Sequence, residues 1–210
     1  MKRLLNILIP LLLSVFIISG SVILGLKSKA LYYYDVKNLN IDVMSGLSNE
    51  EIKLNYDYLI DYNLNKNVKE FHLPTIKYSN EGKIHFEEVR NIFQIIKKVF
   101  YFSGVISILY IILNMENNTI SFLNTTSIMT ILLPIIIAIP LMINFNYFFI
   151  KFHEKVFSND YWIFDPSIDP VINILPQDIF FHIGIFILLI ILAISLLLQI
   201  GYRVLHKKYK

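Results

Sequence analysis

The chain has 210 residues, 55% of them apolar, with a mean hydropathy of +0.57 and a formal net charge of +3. Water-soluble domains of this length are far less apolar, so the composition selects a polytopic membrane protein. The absence of cysteine excludes disulfides, thiolate metal sites, cysteine nucleophiles and cysteine lipidation, and the small, scattered charge excludes a nucleic-acid surface.

Lys2 and Arg3 precede an apolar run from Leu4 to Leu26. It is longer than the core of a cleaved signal peptide and long enough to cross a bilayer, so it reads as a retained first span. In the long segment that follows, ALYYYDVKNLNIDV is rich in strand formers. LSNEEIKLNYDYLIDYNLN opens with Ser48 and Glu51 at capping-box spacing. Ile52, Tyr56, Leu59 and Ile60 then recur near the helical period, which predicts a helix over 49–64. FHLPTIKYSNEGKIHF reads as two short extended pieces about a turn at Ser79–Gly82. The predicted fold class is therefore a mostly α membrane protein: four transmembrane helices and a small mixed α/β extracytoplasmic cap.

KIHFEEVRNIFQIIKKVF leads into the second predicted span, Val99–Leu113, which extends backward through Ile92 if Lys97 and Lys98 snorkel to an interface. His85 is expected at the start of that helix. A nearly uncharged connector from Asn114 to Ser127 precedes the third span, Ile128–Ile150. The fourth runs from Ile179 to Ile200, and Arg203, Lys207, Lys208 and Lys210 follow it. Basic residues at both ends place both termini in the cytoplasm, and an even number of spans agrees. The expected organisation is a first span to residue 26, an outer segment over 27–96, and spans two to four over 97–210 with an outer loop at 151–178.

That loop lies within FHEKVFSNDYWIFDPSIDPVINILPQDIFF, which begins at Phe152 and holds the sole tryptophan, Trp162. By this topology His85 and His153 sit at the same membrane level, each where an outer segment meets a span. They form a candidate shared site; the plainer reading is two interfacial side chains bonded to carboxylates. His182 lies at the outer end of the fourth span, His72 in an extended piece and His206 in the basic tail. HExxH, GxSxG and glycine-rich phosphate loops are absent, so no metal and no cofactor are expected. Asp165-Pro166 and Asp169-Pro170 have turn chemistry.

HFEEVRNIF, beginning at His85, together with the stretch from Phe152, resembles the bacterial four-span family of lipoprotein intramolecular transacylases. The order of elements agrees: anchor, outer segment, His at the second helix, third span, His after it, Trp and Asp, and an LPQ-like approach to the fourth span. Phe86 and Glu87 stand where that pattern has Met and Asp. The resemblance implies transfer of the sn-2 acyl chain of a diacylglyceryl group to the α-amino group of the lipoprotein's own N-terminal cysteine, giving the lyso-form. It implies His85 and His153 as the catalytic pair; the expected order is His85 as general base and His153 as acid or oxyanion partner, though the sequence leaves the reverse open. Arg90, Asn159, Asp160 and Trp162 follow as substrate-binding or orienting residues. Diacylated lipoproteins and membrane lipid are the implied partners of a monomer at the outer leaflet of the bacterial cell membrane. The alternatives are a non-enzymatic binding or assembly protein with a lipid- or peptide-binding cap, and a membrane hydrolase acting on lipid esters.

Overall fold

The computed structural model describes residues 2–113 and 120–208. Among these residues the chain is helical: α1 (Lys2–Lys27), α2 (Lys29–Asn38), α3 (Ile41–Ser45), α4 (Asn49–Leu64), α5 (Asn80–Leu113), α6 (Ser121–Ile143), α7 (Phe145–Val156), α8 (Val171–Ile174) and α9 (Gln177–Lys208). The helices α1, α5, α6 and α9 are long and apolar enough to cross a membrane. Most of the connector starting at Asn114, and Lys210 of the basic tail, lie outside the described residues. The chain divides into two compact units, one of residues 1–24, 96–142 and 185–210, the other of residues 25–95 and 143–184.

The first unit joins its helices through an aromatic stack seated on small residues and through hydroxyls. The ring of Phe16 stacks on that of Phe100 with centroids 4.6 Å apart. Each ring fills a notch left by a glycine: a Cβ on Gly104 would lie 2.6 Å from Phe16, and one on Gly20 would lie 2.9 Å from Phe100. The Ser14 hydroxyl donates to the Thr126 carbonyl at 3.2 Å, Ser195 to the Ser127 carbonyl at 2.7 Å and Ser127 to Gln199 Oε1 at 2.8 Å. Close backbone approach and interhelical hydrogen bonds are the means by which helices associate where lipid removes the hydrophobic drive between them.

The third expected span is shifted. Helix α6 begins at Ser121, because Thr126, Ser127 and Thr130 are buried against other helices rather than left in a polar connector. It ends at Ile143, because Asn144 breaks it and caps α7, its side chain accepting the Tyr147 amide at 3.1 Å. His153 therefore stands on a separate short helix, not in a loop after a span.

The second unit corrects the expectation of a mixed α/β cap, since among the described residues it contains no strand. The stretch from Ala30 to Val43 forms α2 and α3 instead. Tyr32, Asp35 and Val36 all turn inward, and Tyr32 stacks on Tyr56 of α4 at 3.5 Å, so packing overrides strand propensity. Ser48 caps α4 with the full capping box, and the helix has the expected bounds. The segment 65–79 buries Phe71, Leu73 and Ile76 but pairs with no strand. Side chains of α4 satisfy its backbone: Asn55 Oδ1 accepts the Thr75 amide at 3.2 Å, and the Tyr58 hydroxyl accepts the His72 amide at 2.9 Å while donating to the Glu70 carbonyl.

The expected turn at Ser79–Gly82 is the first turn of α5. Ser79 precedes that helix, and its hydroxyl oxygen accepts the Gly82 amide at 2.8 Å while donating to Asp169 Oδ2 at 2.7 Å. Asp169 Oδ1 accepts the Ser79 amide at 2.7 Å. One carboxylate thus fastens the loop after α7 to the start of α5. Elsewhere in this unit the buried Asp35 carboxylate lies 2.9 Å from His182 Nδ1 on α9.

Two stability outcomes follow. A Cβ at Gly82 would sit 2.5 Å from Asp169 Oδ1, so Gly82→Ala must push the carboxylate off Ser79. The expected loss is about 2 kcal/mol, seen as a lower thermal midpoint in detergent. His182→Ala leaves Asp35 buried without its counter-group, and should cost about 3 kcal/mol at neutral pH. The same substitution combined with Asp35→Asn should recover part of that loss; a His182→Ala protein as stable as the parent would mean the pair contributes nothing.

Candidate functional site

His85 falls in the second turn of α5, one turn beyond the Ser79–Asp169 clamp, and is 6% exposed. Its ring centroid lies 6.0 Å from that of His153, 4.8 Å from Phe157 and 5.5 Å from Phe164. Phe157 immediately follows α7, and its amide donates to the His153 carbonyl at 2.9 Å, which closes the end of that helix. Phe164 stacks on Phe86, the neighbour of His85, at 5.7 Å. The loop that Asp169 fastens therefore supplies the wall that encloses both imidazoles. Phe157 and Phe164 did not stand out in the sequence, where nothing separated them from its other aromatic residues.

His153 is half-buried near the end of α7, with the Phe149 ring 4.3 Å and the Trp162 ring 5.0 Å away. Its Nδ1 lies 2.7 Å from the Phe149 carbonyl oxygen. A carbonyl only accepts, so Nδ1 carries the hydrogen, and in the neutral ring Nε2 presents a bare lone pair. Burial pushes the His153 pKa below the ordinary histidine value, with the bond to the Phe149 carbonyl opposing in part. His85 Nδ1 is buried with no hydrogen-bond partner among the described residues. Two imidazolium charges at this separation would repel by about 3 kcal/mol at an effective dielectric of 20, so the pair is suited to holding one proton, not two.

The other candidates divide. Asn159 Nδ2 donates to Glu88 Oε1 at 2.9 Å, tying the loop to α5 one turn past His85, and its Oδ1 accepts the Tyr161 amide at 3.1 Å. Glu88 is thus part of the frame. Asp160 and Trp162 line a shallow groove of about 620 Å³ with Ile150, Glu154, Phe157 and Ile163. Arg90 turns to α4 instead: its guanidinium lies 4.4 Å over the Tyr62 ring and donates to the Asn65 carbonyl at 3.3 Å. Asp165 makes the expected turn, accepting from the Ser167 amide and hydroxyl. Asp169 opens the expected turn through its backbone, its carbonyl accepting the Ile172 amide at 3.3 Å, while its carboxylate is spent on Ser79, 90 residues earlier in the chain. Of the remaining histidines, His72 is exposed beside Tyr78, and His182 is held by Asp35.

A neutral imidazole with a bare nitrogen, facing a second imidazole inside an aromatic wall, can move a proton between a weak nucleophile and a leaving oxygen without a metal or a covalent intermediate. A sequence profile described as "Lipoprotein intramolecular transacylase Lit" matches residues 7–181. The chain is also similar to the solved structure of the membrane-integral lipoprotein intramolecular transacylase Lit from Bacillus cereus. The two are 38% identical with a TM-score of 0.95, over 100% of this chain and 97% of that one. Structures of the same Bacillus cereus protein with a histidine replaced by arginine or by alanine match with TM-scores of 0.91, again at 38% identity and over 100% of this chain, covering 93% and 95% of those chains. Comparison with curated proteins finds no match.

Proposed function

The chain belongs to the lipoprotein intramolecular transacylase family of membrane-integral acyltransferases, and on that premise we propose that His85 and His153 carry the acyl shift. The observation that carries the reading is the pairing of the two rings 6.0 Å apart, from positions 68 residues apart in the chain (153 less 85).

The substrate is a lipoprotein whose N-terminal cysteine bears a diacylglyceryl group. Its α-amino group, with a pKa near 7.7–8.0, is largely protonated and poorly nucleophilic at neutral pH. The neutral amine attacks the sn-2 ester carbonyl and a C–N bond forms. The proton released from nitrogen passes to His153 Nε2, the free lone pair left by the bond from Nδ1 to the Phe149 carbonyl. The buried His85 ring faces the same space and donates its N–H to the developing oxyanion. Collapse breaks the bond between the carbonyl carbon and the glyceryl oxygen, and that oxygen takes the proton back from His153. The products are an amide and a free sn-2 hydroxyl, with no net change in charge. This order of roles, with His153 as base, is the reverse of the one expected from sequence and is favoured by its fixed tautomer. Nucleophile and ester belong to one molecule, so the protein's task is to fold that molecule into reacting geometry, and proximity supplies much of the acceleration.

Trp162 and Asn159 support the site as wall and tether, whereas Arg90 serves the packing of α4. In the multi-pass bacterial membrane protein, the basic residues flanking α1 and α9 favour cytoplasmic termini, which puts the histidines at the outer leaflet. The protein is read as a monomer that takes its substrate from the surrounding lipid.

Two measurements test the assignment. Replacing either His85 or His153 by alanine should reduce formation of N-acyl lyso-form lipoprotein by about 100-fold or more, with the protein still extracted in folded form. Mass spectrometry of lipoprotein N-termini reads the product, and release of free fatty acid instead would indicate a lipid hydrolase. The pH profile provides the second. Because the His153 pKa is lowered, its base form persists as the pH falls past the ordinary histidine value. The rate should therefore decline with unit slope below the pKa of the substrate amine, show no further break near about 6.5, and steepen only at lower pH. A second break at or above about 6.5, in addition to that of the substrate amine, is incompatible with His153 as the base.

A further inference from the structure

The groove beside His153 is not required by the acyl shift itself, yet it is continuous with the site. Phe157 and Trp162 line it on one side and stand against the His153 ring on the other, with centroids 5.5 and 5.0 Å away. Its volume, about 620 Å³, is in the range of small-ligand sites. Its lining is mixed. Ile150, Trp162 and Ile163 offer apolar surface, and Ile163 is 66% exposed. Glu154, Asn159 and Asp160 offer polar groups.

These groups differ in what they already hold. Glu154 is paired with Lys151 Nζ at 2.6 Å. Asn159 is fixed to Glu88 and to the Tyr161 amide. The main-chain oxygen of Asp160 accepts the Ile163 amide at 2.9 Å, closing the turn, but among the described residues its carboxylate has no hydrogen-bond or ion-pair partner. A braced turn thus presents one uncommitted anion at the rim of the reaction site.

That lining selects among the parts of a lipoprotein. An acyl chain seated there would desolvate the carboxylates and the amide without hydrogen bonds in return. An anionic lipid headgroup would meet like charge. An extended peptide suits both faces, since its backbone is polar, its side-chain stems are apolar, and a basic side chain would neutralise Asp160. We propose that this groove is the subsite for the polypeptide that follows the acylated residue, and that Asp160 pairs with a lysine or arginine within its first few positions. The inference rests on the transacylase reading and assigns a peptide preference to the same site.

The test uses the purified full chain in lipid nanodiscs with two synthetic diacylglyceryl lipopeptides. They carry identical lipid and differ only in Lys or Glu at the third residue. Wild-type kcat/KM should be about five-fold higher for the lysine peptide at low ionic strength, with the ratio falling toward one at high salt. Asp160→Asn should abolish the preference, and Asp160→Lys should invert it. Equal wild-type rates on the two peptides overturn the subsite while leaving the transacylase reading intact, and this comparison stands even if the variants fail to accumulate. A preference that survives Asp160→Asn overturns it as well. Conversion of neither peptide by the wild type removes the transacylase reading and the subsite together.

Discussion

The Asp169 carboxylate and the backbone entering α5 hold each other, and the chemistry of the second unit depends on that contact. One oxygen takes the Ser79 amide and the other takes the Ser79 hydroxyl, which in turn caps the first turn of the helix. Helix capping and loop closure are here a single interaction. Gly82 is the residue that permits it, since any side chain there would occupy the place of the carboxylate. With the loop so fixed, Phe157 and Phe164 stand against His85, and the Asn159–Glu88 bond repeats the attachment about two turns further along the same helix.

The setting of the two imidazoles suits proton transfer more than ion binding. Aromatic rings surround them, and the hydrogen bond from His153 Nδ1 runs to a carbonyl within its own helix rather than to a carboxylate. A carboxylate partner would stabilise the imidazolium and make the base stronger but more readily protonated. A carbonyl fixes the ring orientation and leaves the charge uncompensated, so the neutral form dominates at the pH where the substrate amine first becomes available. Asp35 and His182 show the contrasting arrangement in the same unit, a carboxylate and an imidazole in direct contact that joins α2 to α9.

The second unit builds its core from short helices and one irregular segment, and α4 supplies what a neighbouring strand would otherwise give. Asn55 and Tyr58 bond the backbone between Glu70 and Thr75 while Phe71, Leu73 and Ile76 are buried. Polar side chains of a helix can satisfy an extended backbone only at a few points. The segment therefore stays irregular, and its alternating apolar residues resemble a strand when read in sequence.

Much was legible in the amino-acid sequence alone, for reasons local to the chain. Apolar runs long enough to cross a bilayer marked the four membrane helices, and Ser48 with Glu51 fixed the start of α4, because length and capping depend on neighbours within a few residues. The two histidine motifs likewise marked two segments that the fold brings together. What the sequence could not supply was decided by contacts between distant residues. The strand formers near Tyr32 became helix because Tyr56 offered a stacking face. The third span moved toward the N-terminus because its serines and threonines found partners on other helices. Asp169, which had every mark of a turn residue, was drawn to an amide 90 residues away. A side chain's chemistry is written in the sequence, but its partner is chosen by the fold, since burial makes an unpaired polar group costly and packing determines which one lies within reach.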